Sequence, residues 1–247
     1  MTASQAMNLK VAAESLTLVK NDGLLPLSQN LNKIAVVGPA ADGLYELLGD
    51  YTAPQDPKLA ECTIFHQVAK SFPNAEVVYA QGCEVRNLVD QDAKMAEAVA
   101  LCQDADGIVL VLGGSSARNF DMEFLSNGAV SSKGINMDSG ENVDVASLSL
   151  GGRQLELLEA LAATGKPIVS VMIQGRPYDI QRVEELSQAV LVGWFPGQQG
   201  GAAIAGTLAG DFNPSGRLGG SYPLNANQFP VYYYQRAASK QDNYYYQ

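Results

Sequence analysis

The sequence predicts an α/β protein: a three-layer αβα sandwich around a mostly parallel sheet of about five to six strands, flavodoxin-like in arrangement. Three observations carry this. Five apolar runs have strand length: residues 33–37 (KIAVV), 76–80 (EVVYA), 107–112 (GIVLVL), 167–173 (PIVSVMI) and 189–192 (AVLV). Such continuous runs fit strands buried on both faces. Segments with helical spacing alternate with them, which is the signature of βαβ units with right-handed crossovers. Finally, the third run empties into a long stretch from Gly113 to Leu150 without a clean helix or strand period. A loop of that length inside a compact domain is usually functional or disordered, and it leaves the sheet edge where open α/β sheets place their ligand crevice.

In chain order, Ala6, Leu9, Ala13, Leu16 and Val19 share one face, so residues 4–20 are expected to be helical, with Gly23 as the stop. The first strand, 33–37, closes at Gly38-Pro39. A helix is expected over 56–72, with Leu59, Ile64, Val68 and Phe72 facing inward, and another over 90–103. Beyond the long loop, helices are expected over 152–163, 178–186 and 196–208. The tail from Asn213, rich in Pro, Gly and Tyr, is expected to wrap the surface or add an edge strand. This divides the chain into an N-terminal linker and helix (1–32), the sandwich (33–222) and a C-terminal tail (223–247).

Apolar residues make up 47% of the chain and charged residues 17%, which describes a globular protein. The formal charge of −10 argues against nucleic acid or an anionic membrane as partner, since both want clustered Lys and Arg. A neutral ligand such as a sugar is compatible with it. The chain has three cysteines, Cys62, Cys83 and Cys102, with no CxxC pair, so buried reduced thiols are expected and no metal site. No cofactor motif is found. Gly38-Pro39-Ala40-Ala41-Asp42-Gly43 misses the dinucleotide spacing, and Pro39 removes a donor that a phosphate would use. No apolar run approaches about eighteen residues, so no membrane-spanning helix is expected. The first residues lack the basic start of a signal peptide.

Two places in the long loop invite chemistry. Gly113-Gly114-Ser115-Ser116-Ala117 after a strand suggests a nucleophile elbow. That chemistry wants a histidine base, and the single histidine, His66, precedes the serine inside an expected helix. Asp138-Ser139-Gly140-Glu141 is the sharper candidate. A glutamate among small residues can reach a ligand, and partial burial raises its pKa toward what a general acid near neutrality needs. Arg176, at the end of the fourth strand, could orient loop carboxylates. Trp194 to Gly201 reads as aromatic core followed by a closely packed helix start.

These residues resemble the C-terminal αβα-sandwich domain of glycoside hydrolase family 3, the β-glucosidase and β-xylosidase family. The likeness covers nearly the whole chain. It is carried by 14–22 (ESLTLVKND) with 24–27 (LLPL), 33–39 (KIAVVGP), 49–51 (GDY), Ser139-Gly140-Glu141, Leu150 with Gly152 and Gln154, Trp194 to Gly201, and 210–218 (GDFNPSGRL). The version at 113–118 (GGSSAR) is most similar to Bacteroidetes members. The resemblance implies that Glu141 is the general acid/base, with Glu123 the runner-up because the acid/base position varies in the family. It implies sugar contacts from Arg118, Asp138 and Ser139, a β-linked glycoside as substrate, and no cofactor. The nucleophile would be an aspartate on a preceding TIM-barrel domain. Retaining hydrolysis needs both carboxyl groups about 5 Å apart, so this chain alone is expected to be inactive. A bacterial parent is expected to be periplasmic or secreted. Where the family motif has Gly and Arg, this chain has Asn142 and Val145, and Gly219 replaces a Pro. Losing the Arg removes an ion pair that would pin the loop. The competing reading is a sugar-binding or interaction module that kept the fold and lost catalysis.

Overall fold

The computed structural model describes residues 1–88, 91–117, 126, 136–140, 143–223 and 228. Six strands form one sheet: β1 (Thr17–Asn21), β2 (Lys33–Val37), β3 (Glu76–Ala80), β4 (Gly107–Gly113), β5 (Ile168–Ile173) and β6 (Ala189–Trp194). Their order is β1-β6-β5-β4-β2-β3. β2 to β6 run parallel, and β1 is antiparallel to β6 at the edge. Without β1 this is the flavodoxin-like order, whose switch point lies between β2 and β4. The crevice edge is therefore where the long loop starts.

The apolar runs work because alternate residues serve different faces. Ile34, Val36, Val109, Val111, Val169, Val171 and Leu191 join the core on one side, under α1 (Ala3–Ser15), α2 (Ile64–Ser71) and α6 (Gly200–Ala209). Ala35, Val37, Ile108, Leu110, Leu112, Met172, Val190 and Val192 join the other, under α3 (Gln91–Cys102), α4 (Gln154–Ala162) and α5 (Gln181–Leu186). This is the three-layer sandwich that the sequence predicts.

Several local expectations are corrected. The first helix ends at Ser15, and residues 17–21 form β1. Leu18 packs into one core and Val19 into the other, which a strand allows and a continuing helix would not. The helix expected over 56–72 breaks at Thr63. Pro57–Cys62 is a 3-10 turn, and Thr63 caps α2, its hydroxyl accepting from His66 N and donating to Asp42 at 2.7 Å. α5 begins at Gln181 rather than 178, because Tyr178 is turned into the core. α6 begins at Gly200, after a turn through Gly197. In the tail, residues 213–223 add no strand. Gly216 N instead donates to Leu16 O, tying the tail to the end of α1. Residues 229–247 lie outside the described residues.

Candidate functional site

The site grows from the end of β4. β2 turns away at Gly38, whose φ is +128°, and a side chain there would strike Val111 O. Beyond the pair Val37–Leu110, β4 runs on with β5 as its one strand partner. Gly114 N donates to Ile173 O of β5, so the N–H and C=O of Gly113 face the side that β2 has left. The side chain of Gln154, at the start of α4, takes over there. Its Oε1 accepts from Gly113 N at 2.8 Å, and its Nε2 donates to Gly113 O at 2.8 Å and to Val85 O at 3.1 Å. A fully buried amide thus substitutes for the missing strand.

Past Gly113 the loop's returning limb is laid on its outgoing limb. Asp138 N and Ser139 N both donate to Ser115 O, and Ser139 Oγ reaches the same oxygen at 3.3 Å. Asp138 is only 2% exposed. Its Oδ1 accepts from Ser115 N at 2.9 Å, and its Oδ2 accepts from the Tyr178 hydroxyl. Burial, with the Asp138 charge adding to it, pushes the Tyr178 phenol far above its usual pKa, so Tyr178 stays a donor. A Cβ on Gly114 would stand 2.0 Å from Tyr178 Oη and 2.5 Å from Asp138 Oδ1, so only glycine leaves room for this pair.

Arg176 ties both ends of the return. Its Nη2 donates to Asp138 O at 3.2 Å, and its Nη1 pairs with Asp144 Oδ1 at 2.6 Å. The Val145 N–H, and then Arg176, hold the Asp144 carboxyl below its usual pKa. An ion pair at this end of the loop thus comes from Arg176, on the turn between β5 and α5. Gly140 and Val143 form an isolated bridge, with Val143 N donating to Gly140 O. The Asp50 carboxylate lies beside Gly140, 2.9 Å from where a Cβ would be.

Of the residues singled out in the sequence, Asp138 and Ser139 are brought together on Ser115. Glu141, Glu123 and Arg118 lie outside the described residues. The elbow reading of Ser115 finds no support: its Oγ accepts from Ala117 N, while His66 Nδ1 faces Asp42 and Thr63. Cys83 and Cys102 are buried free thiols, raised by burial to about 12 and about 11. No group of three metal-ligating side chains is found among the described residues. Tyr178 and Gln154 were not legible as site residues, because both act on backbone or carboxylate partners remote in sequence.

The chain is thus an open α/β sandwich with a carboxylate-bearing loop at the sheet edge where such folds place their ligand crevice. The glycosyl hydrolase family 3 C-terminal domain model matches residues 16–247, so the chain belongs to glycoside hydrolase family 3 as a domain of that type. A β-xylosidase of Formosa agariphila is 33% identical over 236 residues, covering 92% of this chain and 29% of its own length. The periplasmic β-glucosidase of Salmonella typhimurium is 32% identical, covering 91% of this chain and 29% of its own length. Among solved structures, a β-glucosidase from Erythrobacter marinus superposes with a TM-score of 0.75 at 33% identity, covering 95% of this chain and 32% of that one. A β-glucosidase from Listeria innocua, solved with isofagomine, gives 0.74 at 29%, covering 93% of this chain and 28% of that one. The chain spans about a third or less of these relatives.

Proposed function

We propose that this chain is the sandwich domain of a retaining β-glycosidase acting on β-glucosides or β-xylosides. Glu141 serves as the general acid/base, and a TIM-barrel domain outside this chain carries the nucleophile. Glu123 is the second candidate for the acid. Of the three expected sugar contacts, Arg118 and Ser139 are kept; Asp138 is not, because it is 2% exposed and both of its carboxylate oxygens are bonded within the chain. On this reading the chain alone does not hydrolyse glycosides, because the second carboxyl group that a retaining mechanism needs about 5 Å away is on the barrel. The full protein works in the periplasm or outside the cell. The family's relatives are named as such enzymes, one of them periplasmic, and no helix among the described residues is long and apolar enough to cross a membrane.

The observation that carries the reading is the anchoring on either side of position 141. Asp138 and Ser139 are bonded to Ser115, two residues past the end of β4, and Asp144 is paired with Arg176. A general acid must be held in place to protonate a leaving oxygen.

The test is hydrolysis of nitrophenyl and alkyl β-glucosides and β-xylosides by this chain alone, and by the chain with the barrel domain. Activity is expected only with the barrel. In the active combination, Glu141→Gln is expected to lower kcat/KM on alkyl glycosides by about 100-fold or more and far less on nitrophenyl glycosides, since good leaving groups need little acid help in the first step. Equal rates for Glu141→Gln and the parent on alkyl glycosides would remove the assignment. Glycan binding without cleavage in either arm would favour the non-catalytic module.

A further inference from the structure

We infer that Asp138 is a positioning residue for the acid/base, and that the turn after β5 is the base plate on which the catalytic loop is mounted. This rests on the assignment of Glu141. The argument starts from the carboxylate of Asp138. Burying such a group is costly unless hydrogen bonds replace its water. Here one oxygen takes Ser115 N–H and the other takes the Tyr178 hydroxyl. The Arg176 guanidinium bonds the carbonyl of Asp138 rather than its carboxylate. An apolar side chain could fill the same space without that cost. What it could not do is join three separate pieces of chain with fixed directions.

Those pieces are the outgoing limb at Ser115, the returning limb at 138–140, and the turn that carries Arg176 and Tyr178. Tyr178 grips the loop three residues before Glu141, and Arg176 grips it three residues after, at Asp144. Both grips come from one short turn whose Asp179 N also donates to Leu148 O. Gly114 leaves the space in which the Tyr178–Asp138 contact forms. The loop is therefore bonded on both sides of position 141 to one short turn that follows a buried strand, through the buried Asp138 and the exposed Asp144. Two such attachments limit the freedom of the chain between them. Misplacement of a reacting group by about 1 Å can cost about 100-fold in rate.

The experiment measures Asp138→Asn, Tyr178→Phe and Glu141→Gln in the active combination with the barrel domain, with folding checked by circular dichroism. Alkyl and dinitrophenyl glycosides are compared. A role through Glu141 predicts that Asp138→Asn lowers kcat on alkyl glycosides by about 10-fold or more. It predicts little loss of kcat/KM on dinitrophenyl glycosides, whose kcat and KM fall together because the same group is the base of the deglycosylation step. Tyr178→Phe acts the same way, more weakly. The double variant Asp138→Asn/Glu141→Gln is expected to be no slower than Glu141→Gln alone, since both act through one group. In this chain by itself, both anchor variants are expected to speed hydrogen exchange over 136–145.

A merely structural role would lower melting temperature and leave the ratio of the two substrates unchanged, which would overturn the inference. If Asp138→Asn does not fold, Tyr178→Phe is read by the same ratio. If Glu141→Gln itself leaves the ratio unchanged, the acid/base assignment falls and this inference falls with it. If Glu141→Gln shifts the ratio and the anchor variants do not, only the inference fails.

Discussion

Replacing Gln154 with Leu tests whether a side chain completes the sheet edge beneath the loop. The two side chains are similar in size, so the cavity term is small and the lost hydrogen bonds dominate. Three backbone groups lose their partner: Gly113 N–H, Gly113 C=O and Val85 C=O. Leaving a buried polar group unsatisfied costs about 1–3 kcal/mol. Three such groups give about 3–9 kcal/mol before relaxation. Water entry, and the favourable burial of Leu, bring the expectation to about 4 kcal/mol. For a domain of this size that corresponds to a fall in Tm of about 8–16 °C. Urea unfolding of this chain should show a lower midpoint with an unchanged slope, and the Gly113 amide should exchange faster. A drop in Tm under about 3 °C would refute the reasoning, because it would mean that these backbone groups find other partners.

Three further outcomes are expected. Gly114→Ala should destabilise by about 1–3 kcal/mol in urea unfolding, through overlap with Tyr178 Oη and Asp138 Oδ1. Tyr178→Phe in the same chain should recover part of the loss, and no recovery would show that the overlap lies elsewhere. Iodoacetamide at pH 8 should modify Cys62 well before Cys83 and Cys102, whose thiols burial raises to about 12 and about 11; equal rates by mass spectrometry would contradict their burial. Burial raises the pKa of Glu46 in the folded chain. A carboxyl with a raised folded pKa destabilises once pH exceeds its unfolded value near about 4, and the penalty is complete above the folded value. Glu46→Gln should therefore raise Tm at pH 7, with the gain closing as pH falls toward about 4; a gain independent of pH would point to packing instead.

The parallel sheet was readable because each of its strands is a continuous apolar run feeding two cores. Ile34 and Val36 serve one core, and Ala35 and Val37 the other. β1 was not readable in this way. Leu16 and Val19 also satisfy a helical period, and the choice of strand is made by pairing with β6, well over a hundred residues away. The break at Thr63 left a signal, a capping residue after a proline-led turn, but the apolar spacing across it masked the change. In the site, the Asp138 to Glu141 segment stood out as carboxylates on an irregular loop. The partners of Asp138 did not, since Tyr178 read as the start of a helix and Ser115 as an elbow serine.

The amino-acid sequence by itself determined the layers, the parallel strands, the family and the loop on which the candidate acid sits, because hydrophobic period and short motifs are local properties. Only the tertiary structure decided what holds that loop. The Asp138–Tyr178 contact, the Arg176–Asp144 pair and the Gln154 amide on Gly113 each join residues brought together by the crossovers of the sheet. Side chains that read as ordinary polar or aromatic residues gain their roles there, because a buried carboxylate or an unpaired backbone group must find its partner in space.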